Sequence, residues 1–310
     1  MKSYNQVLPF SFPNGISLTV KREDQVHPFL SGNKYRKMKY NLEQAQKEGY
    51  AKLLTFGGAF SNHIAAVAAA GAHFGLETIG VIRGEELENE IEANATLRLA
   101  RQQGMKFDFV SREAYRIKDE SAFLEKLREK HGAFYLLPEG GTNALAVKGC
   151  EEILETTDKT QFTHICCAVG TGGTISGLIN SCGENQKVIG FPALKGSFLS
   201  DEICKFVNND RWELVNDYHF GGYAKINDEL VRFNNDFYAQ TEVLLDPVYT
   251  GKMAYGIVDL IEKGYFPDGA AILMIHTGGL QGIEGMNKIL AQKNKPLLIE
   301  NKVCKKENND

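Results

Sequence analysis

No run of apolar residues in this 310-residue chain reaches the roughly 20 needed to cross a bilayer, and the N-terminal stretch MKSYNQVLPF lacks the apolar core of a secretory signal. The expectation is a cytoplasmic protein. A surplus of positive charge is also missing: the formal net charge is −4 and the basic residues are scattered, which argues against a nucleic-acid surface. Cysteine is scarce, six residues at irregular intervals, and this excludes a disulfide scaffold. Neither a CxxC pair nor an HExxH motif occurs, so a metal site has no support. Cys166 and Cys167 adjoin in HICCAVG, where consecutive strand residues face opposite ways, and they read as buried small hydrophobes. No solenoid repeat or low-complexity linker divides the chain. The polar tail NKVCKKENND reads as frayed.

What the chain does contain is 43% hydrophobic residues, enough at this length for two compact domains. Short apolar runs alternate with helical patterns: AKLLTFGG then SNHIAAVAAAGAHFG, TIGVIRG then ENEIEANATLRLARQQG, KFDFV then ESAFLEKLREKHG. Further runs are AFYLLPEGG, HICCAVG, KVIGFPAL, VLLDPVY and AAILMIH, and a charged strand LTVKREDQVH leads through SGNKYRK into a helix. Nearly continuous apolar strands separated by helices belong to parallel sheets covered on both faces. The fold class is α/β.

Several strand ends finish in glycine clusters, FGGAFSN, EGGTN, VGTGGT and HTGG. In open α/β sheets ligands sit beyond the carboxyl ends of the strands, so these clusters point to one cleft. The most specific is AVGTGGTISGL, where Gly170, Thr171, Gly172, Gly173 and Thr174 can bring backbone N–H groups and a helix N-terminus to a phosphate. A Walker loop would need Lys-Ser/Thr after its last glycine, yet Leu178 follows Gly177. A dinucleotide fingerprint would need glycine at Ile175, and the acidic residue of LINSCGENQ comes too early to hold a ribose. A phosphate cup for a smaller cofactor remains, with a ligand-free tight turn as the alternative.

A phosphate cup together with a lysine on another loop suggests pyridoxal phosphate, whose aldehyde needs an amine. Lys34, directly after Gly32 and Asn33, is the candidate, although a lysine at a helix start is by itself an ordinary surface charge. The blocks GNKYRK, GGAFSNH, EGGTNA, GTGGT, LDPVYTGKMAYG and HTGGLQG, in this order, resemble the 1-aminocyclopropane-1-carboxylate deaminase and D-cysteine desulfhydrase family of pyridoxal-phosphate enzymes. The resemblance covers roughly residues 5 to 285 and implies the tryptophan-synthase-β-like fold, type II, with two open, mainly parallel α/β/α domains. It implies a small domain over 43–137 inserted into a large one formed by 1–42 and 138–310, with the cofactor between them.

Carried over residue by residue, the resemblance makes Lys34 the internal Schiff-base lysine and Lys37 a further phosphate or structural contact. It gives Asn62 to the cofactor's phenolic oxygen and Ser61 to the substrate carboxylate, while a simple N-cap role for either is the plain alternative. Tyr249 would face the substrate, with Tyr223 as a second active-site tyrosine, and Thr250 would lie near the pyridine nitrogen, within reach of Thr277 as well. Thr250 could instead cap the following helix, and Tyr249 could be core. His63 could carry protons or simply pack. Deaminases of this family resemble one another in having glutamate where Thr250 stands, whereas D-cysteine enzymes have threonine. An uncharged partner suits elimination of a thiolate from the β-carbon.

Two residues depart from the family pattern: Phe60 replaces a frequent glutamine, and Ser31 replaces the first glycine of Gly-Gly-Asn-Lys. The expected activity is a lyase, or a hydrolase-type deaminase, on a small amino acid, with D-cysteine β-elimination to pyruvate, ammonia and sulfide placed first. Deamination of 1-aminocyclopropane-1-carboxylate to 2-oxobutanoate comes second, and a non-catalytic phosphate-ligand-binding α/β protein is the rival of another class. A homodimer with no nucleic-acid or membrane partner completes the expectation.

Overall fold

The computed structural model describes residues 3–26, 30, 32–196 and 198–300; Ser31 and the tail from Asn301 onward lie outside these. Among the described residues ten strands form two sheets: β1 (Asn5–Val7), β2 (Ser17–Lys21), β3 (Lys52–Gly57), β4 (Glu77–Arg83), β5 (Lys106–Val110), β6 (Tyr135–Leu137), β7 (His164–Val169), β8 (Lys187–Pro192), β9 (Trp212–Leu214) and β10 (Ala271–Ile275). One sheet has the order β1-β2-β10-β7-β8-β9, the other β5-β4-β3-β6. All pairings are parallel except β1 with β2.

Helices cover both sheets, as parallel crossovers require. Those of the first half are α1 (Asn33–Lys47), α2 (Asn62–Phe74), α3 (Ala95–Gln102), α4 (Arg112–Arg116), α5 (Ser121–His131) and α6 (Ala144–Cys150). The second half contributes α7 (Asp158–Gln161), α8 (Gly173–Ser181), α9 (Phe198–Cys204), α10 (Asp228–Thr241), α11 (Thr250–Glu262) and α12 (Gly282–Gln292). No helix among the described residues is long and apolar enough to cross a membrane.

Each sheet separates two apolar clusters. Cys166 and Met274 face α11 on one side of the six-stranded sheet, while Cys167, Leu273 and Ile275 pack under α8 on the other. The alternation of β7 therefore sends its two adjacent cysteines to opposite cores, both fully buried. In the four-stranded sheet Leu53 and Ile82 pack beneath the alanine-rich face of α2, and Leu54, Phe56 and Val81 meet the aromatic residues around α5. Small side chains let α2 lie close to its sheet, and Ser61 at its N-cap starts it directly after β3.

Three expectations are corrected. The charged stretch LTVKREDQVH is a strand only as far as Lys21; a 3-10 turn over Glu23–Gln25 follows, with Arg22 paired to Asp24. The helical pattern ENEIEANATLRLARQQG is broken, because the Asn94 side chain accepts the N–H groups of Thr96 and Leu97 and so begins α3 afresh. The run VLLDPVY is not a strand. Val243, Leu244 and Leu245 are buried, but the chain turns at Asp246, Pro247 offers no N–H, and the Leu244 carbonyl accepts from His276 Nε2, 2.6 Å away. The short strands β1 and β9, three residues each, carry too little pattern to be read from sequence.

Candidate active site

The C-terminal ends of β3, β6, β7 and β10 open on one cavity of about 730 Å³, which takes its walls from both sheets. Helix α1 delivers Lys34 to it. The chain enters α1 through Gly32, whose φ of +59° suits glycine and where a Cβ would lie 2.1 Å from the Thr277 carbonyl oxygen. The Asn33 N–H donates to that oxygen (3.4 Å), and Asn33 Nδ2 donates to Thr174 Oγ1 (2.8 Å). One turn on, Arg36 Nε and Nη2 grip buried Glu23 at 2.9 and 3.0 Å. The first turn of α1 is thus fastened on three sides.

Burial, reinforced by the charge of Lys37, pulls the Lys34 pKa down from 10.5 to about 7; Cys150, Cys167 and Asp246 oppose this only in part. The neutral amine is therefore accessible at neutral pH. Lys37 is also lowered by burial. Its Nζ donates to the Gly140 carbonyl and Thr142 Oγ1, both at 3.0 Å, and to Thr171 Oγ1 at 3.4 Å, which places a cation across the glycine loop.

Gly170, Thr171 and Gly172 line the cavity between β7 and α8, and Thr174 lines it from the first turn of that helix. Gly172, with φ of +82°, turns the loop into α8, whose first N–H groups have no partner within the helix. Gly173 stands behind the wall, where a Cβ would meet Thr142 Oγ1 at 2.8 Å. Loop, helix end and Lys37 together form a cup for an anion.

Across the cavity Ser61 Oγ accepts the N–H groups of His63 (3.2 Å) and Ile64 (3.4 Å), so it caps α2 from the cavity wall. Asn62 Oδ1 accepts from Gln281 Nε2 at 2.9 Å, which fixes the amide. His63 lines the wall but is 2% exposed; burial and the nearby Lys34 and Lys37 keep its pKa well below 6.5. Its Nε2 lies 2.8 Å from Thr55 Oγ1, whose hydroxyl donates to the Leu137 carbonyl, so Nε2–H is the donor. Phe60 stands at the mouth, 55% exposed.

Tyr249 and Tyr223 meet edge to face, ring centroids 6.1 Å apart, on the wall beside Gly170. Desolvation raises both hydroxyls above their usual pKa, Tyr249 well above and Tyr223 although its residue is 41% exposed as a whole, and the two share a hydrogen bond. Both stay protonated at neutral pH and serve as donors. Thr277 lines the cavity. Thr250 does not: it is fully buried, its hydroxyl donates to Asp246 Oδ2 (2.7 Å), and it accepts the Asp246 N–H (2.9 Å).

Sequence reasoning passed over two residues. Asp246 Oδ1 accepts the N–H groups of Val248 and Tyr249, both at 2.9 Å, and Oδ2 that of Thr250 at 2.8 Å, building the turn that presents Tyr249. The Asp-Pro pair ahead of the helix was its signal. Gln281 left only its place in HTGGLQG. No group of three or more His, Cys, Asp or Glu side chains among the described residues could hold a metal ion.

Residues 7–278 match the family described as "Pyridoxal-phosphate dependent enzyme". A Thermotoga maritima protein provisionally named 1-aminocyclopropane-1-carboxylate deaminase is 33% identical over 297 residues, 89% of this chain and 93% of that protein. An Arabidopsis thaliana protein named bifunctional D-cysteine desulfhydrase/1-aminocyclopropane-1-carboxylate deaminase, mitochondrial, is 33% identical over 301 residues, 87% of this chain and 74% of that protein. Among solved structures, one titled as an ACC deaminase homologue superposes with a TM-score of 0.82 at 29% identity, covering 94% of both chains. A hydrogen sulfide-producing enzyme of Fusobacterium nucleatum, at 16% identity and TM-score 0.66, covers 90% of this chain and 96% of its own and shares the fold.

Proposed function

We propose, for a chain that belongs to the pyridoxal-phosphate-dependent enzyme family, a lyase acting on a small amino acid, with D-cysteine cleaved by β-elimination to pyruvate, ammonia and sulfide. The observation that carries this reading is that the Lys34 amine and a glycine loop bonded to Lys37 line one cavity. The donor set suits the cofactor: Lys37 and the N–H groups at the start of α8 would hold a phosphate, and a neutral amine can bond an aldehyde. Bound there, pyridoxal phosphate supplies an electron sink for charge left at the substrate Cα.

The chain's own residues divide the remaining work. Lys34 Nζ, its pKa lowered to about 7, is the base that takes the Cα proton, and the electron pair left at Cα expels the sulfur from Cβ. The Ser61 hydroxyl, at the N-cap of α2, receives the substrate carboxylate, where a helix N-terminus favours negative charge. Tyr249 keeps its proton and donates it toward the departing sulfur, with Tyr223 holding its hydroxyl in place. Phe60 and the tyrosine pair restrict water at the mouth.

The preference for cysteine rests on Thr277, the uncharged hydroxyl that lines the cavity, since Thr250 is turned to Asp246; the names of the Thermotoga and Arabidopsis relatives support 1-aminocyclopropane-1-carboxylate deamination as the second reading. Keto-acid release from D-cysteine, L-cysteine and 1-aminocyclopropane-1-carboxylate decides between them. Pyruvate and sulfide from D-cysteine are expected; 2-oxobutanoate from the cyclopropane acid would put the second reading first. Lys34→Ala is expected to abolish both turnover and the visible absorbance of the bound cofactor. A variant that kept its activity would remove Lys34 from the reaction. The family resemblance also carries a cytoplasmic homodimer, checked by sedimentation and by fractionation of cells.

A further inference from the structure

Lys252 is a lysine with no place in the chemistry just described, yet it is among the largest fully buried side chains of the protein. It lies in the first turn of α11, three residues after Tyr249. Its Nζ crosses to the segment between β9 and α10 and donates to the carbonyl oxygens of His219 (2.9 Å) and Gly222 (2.8 Å). These two carbonyls bracket the turn immediately before Tyr223.

That segment does not hold its shape through regular structure. Phe220 and Ala224 have φ of +53° and +54°, a region costly to residues with a Cβ, and Gly221 and Gly222 lie at +91° and +115°. Its own bonds are a few local ones: Gly222 N–H to the His219 carbonyl, Lys225 N–H to the Gly222 carbonyl, and Gly221 N–H to His219 Nδ1. Phe220 rests edge-on against Tyr255 of α11. The Lys252 ammonium reaches the same two carbonyls that close the turn. Burial lowers it to about 8, opposed by the nearby Asp246 carboxylate, so it is mostly charged at neutral pH. A charged donor shared by two carbonyls, the bond to Gly222 buried and that to His219 partly so, is a strong tie.

We propose that Lys252 is a positioning residue that clamps the Tyr223 segment onto α11, so that Tyr223 and Tyr249 present their hydroxyls to the cavity as one unit. The inference rests on the reading of those tyrosines as active-site donors, but its first test does not. In the cofactor-free protein, Lys252→Met keeps the length and apolar stem and removes the donors. Amide hydrogen exchange over 217–227 is expected to quicken on the order of tenfold, with β7 and β8 unchanged. Unchanged exchange in that segment would overturn the proposal. Lys252→Gln, a milder change with one amide donor, is expected to fall between and serves where the methionine variant does not fold.

The second test is a double-mutant cycle on the loaded enzyme. Lys252→Met is expected to lower kcat on the order of tenfold with KM within about twofold, and to add nothing in a Tyr223→Phe background. Equal losses in both backgrounds would overturn the route through Tyr223. Faster exchange with normal turnover in Tyr223→Phe would uphold the clamp and overturn the active-site reading of Tyr223 instead.

Discussion

A lysine that must be both desolvated and partly neutral weighs on the protein that holds it. Lys34 has an ordinary pKa of 10.5 when exposed and about 7 in the fold, so between those values the unfolded chain binds more protons than the folded one. Stability therefore rises with pH across that window, and the burden of Lys34 is fully present below about pH 7. Replacing it with methionine, of similar length and without charge, relieves the burden. Cofactor-free Lys34→Met is expected to melt above the wild-type protein at pH 6.5, with the gap closing as pH approaches 10. Thermal unfolding at a series of pH values measures it, and a gap that stays constant with pH would contradict the assignment of burial as the cause. A residue that destabilises its own fold is one kept for chemistry.

At the scale of elements, the site depends on how helices begin. Asp246 gathers three backbone N–H groups and the Thr250 hydroxyl on one buried carboxylate, so α11 starts with Tyr249 already aimed. Asp246→Ala leaves those buried donors without an acceptor, an expected loss of roughly 3 kcal/mol, since each unmet buried donor costs about 1–3 kcal/mol before relaxation. Denaturant midpoints would show it, and a loss below about 1 kcal/mol, the scale of a simple surface cap, would mean that solvent replaces the carboxylate. Asp246 also shows where sequence reading runs out. The long elements were legible: β3, β7 and β10 as apolar runs, α2 as an alanine-rich helix after Ser61, and the glycine ends that meet at one cavity. Periodicity reports which face is buried, and the glycine-rich strand ends pointed to one cleft, but Ser61, Asn62 and Tyr249 were placed there by the family resemblance. It does not report hydrogen bonds to backbone a few residues away. Asp246 acts through such bonds, and periodicity is equally silent on the bonds of Gln281 to the Asn62 side chain and of Lys252 to the distant carbonyls of His219 and Gly222; the apolar run around Asp246 mimicked a strand because it is buried without being paired.

Considered whole, the molecule holds its cavity between two sheets that share no strand, one drawn from residues 52–137 and the other from the flanking chain. Ser61, Asn62 and His63 come with the four-stranded sheet, while the loop 170–174 and Tyr249 come with the six-stranded one. Lys34 and Lys37, on α1, stand between them. A ligand that touches both walls ties the two sheets together, whereas one that fills the anion cup touches chiefly one. Inorganic phosphate is accordingly expected to slow amide exchange at 170–174 and leave 58–63 unchanged. Pyridoxal phosphate should slow exchange in both segments and in the first turn of α1. At a hundredfold excess over its Kd, any ligand of the folded state adds about 2.7 kcal/mol of stability, so the two can be compared at equal saturation and any further protection assigned to bridging. Protection by pyridoxal phosphate confined to 170–174 would mean that the ligand sits on the six-stranded side alone, and the roles given to Ser61 and Asn62 would then fall with it.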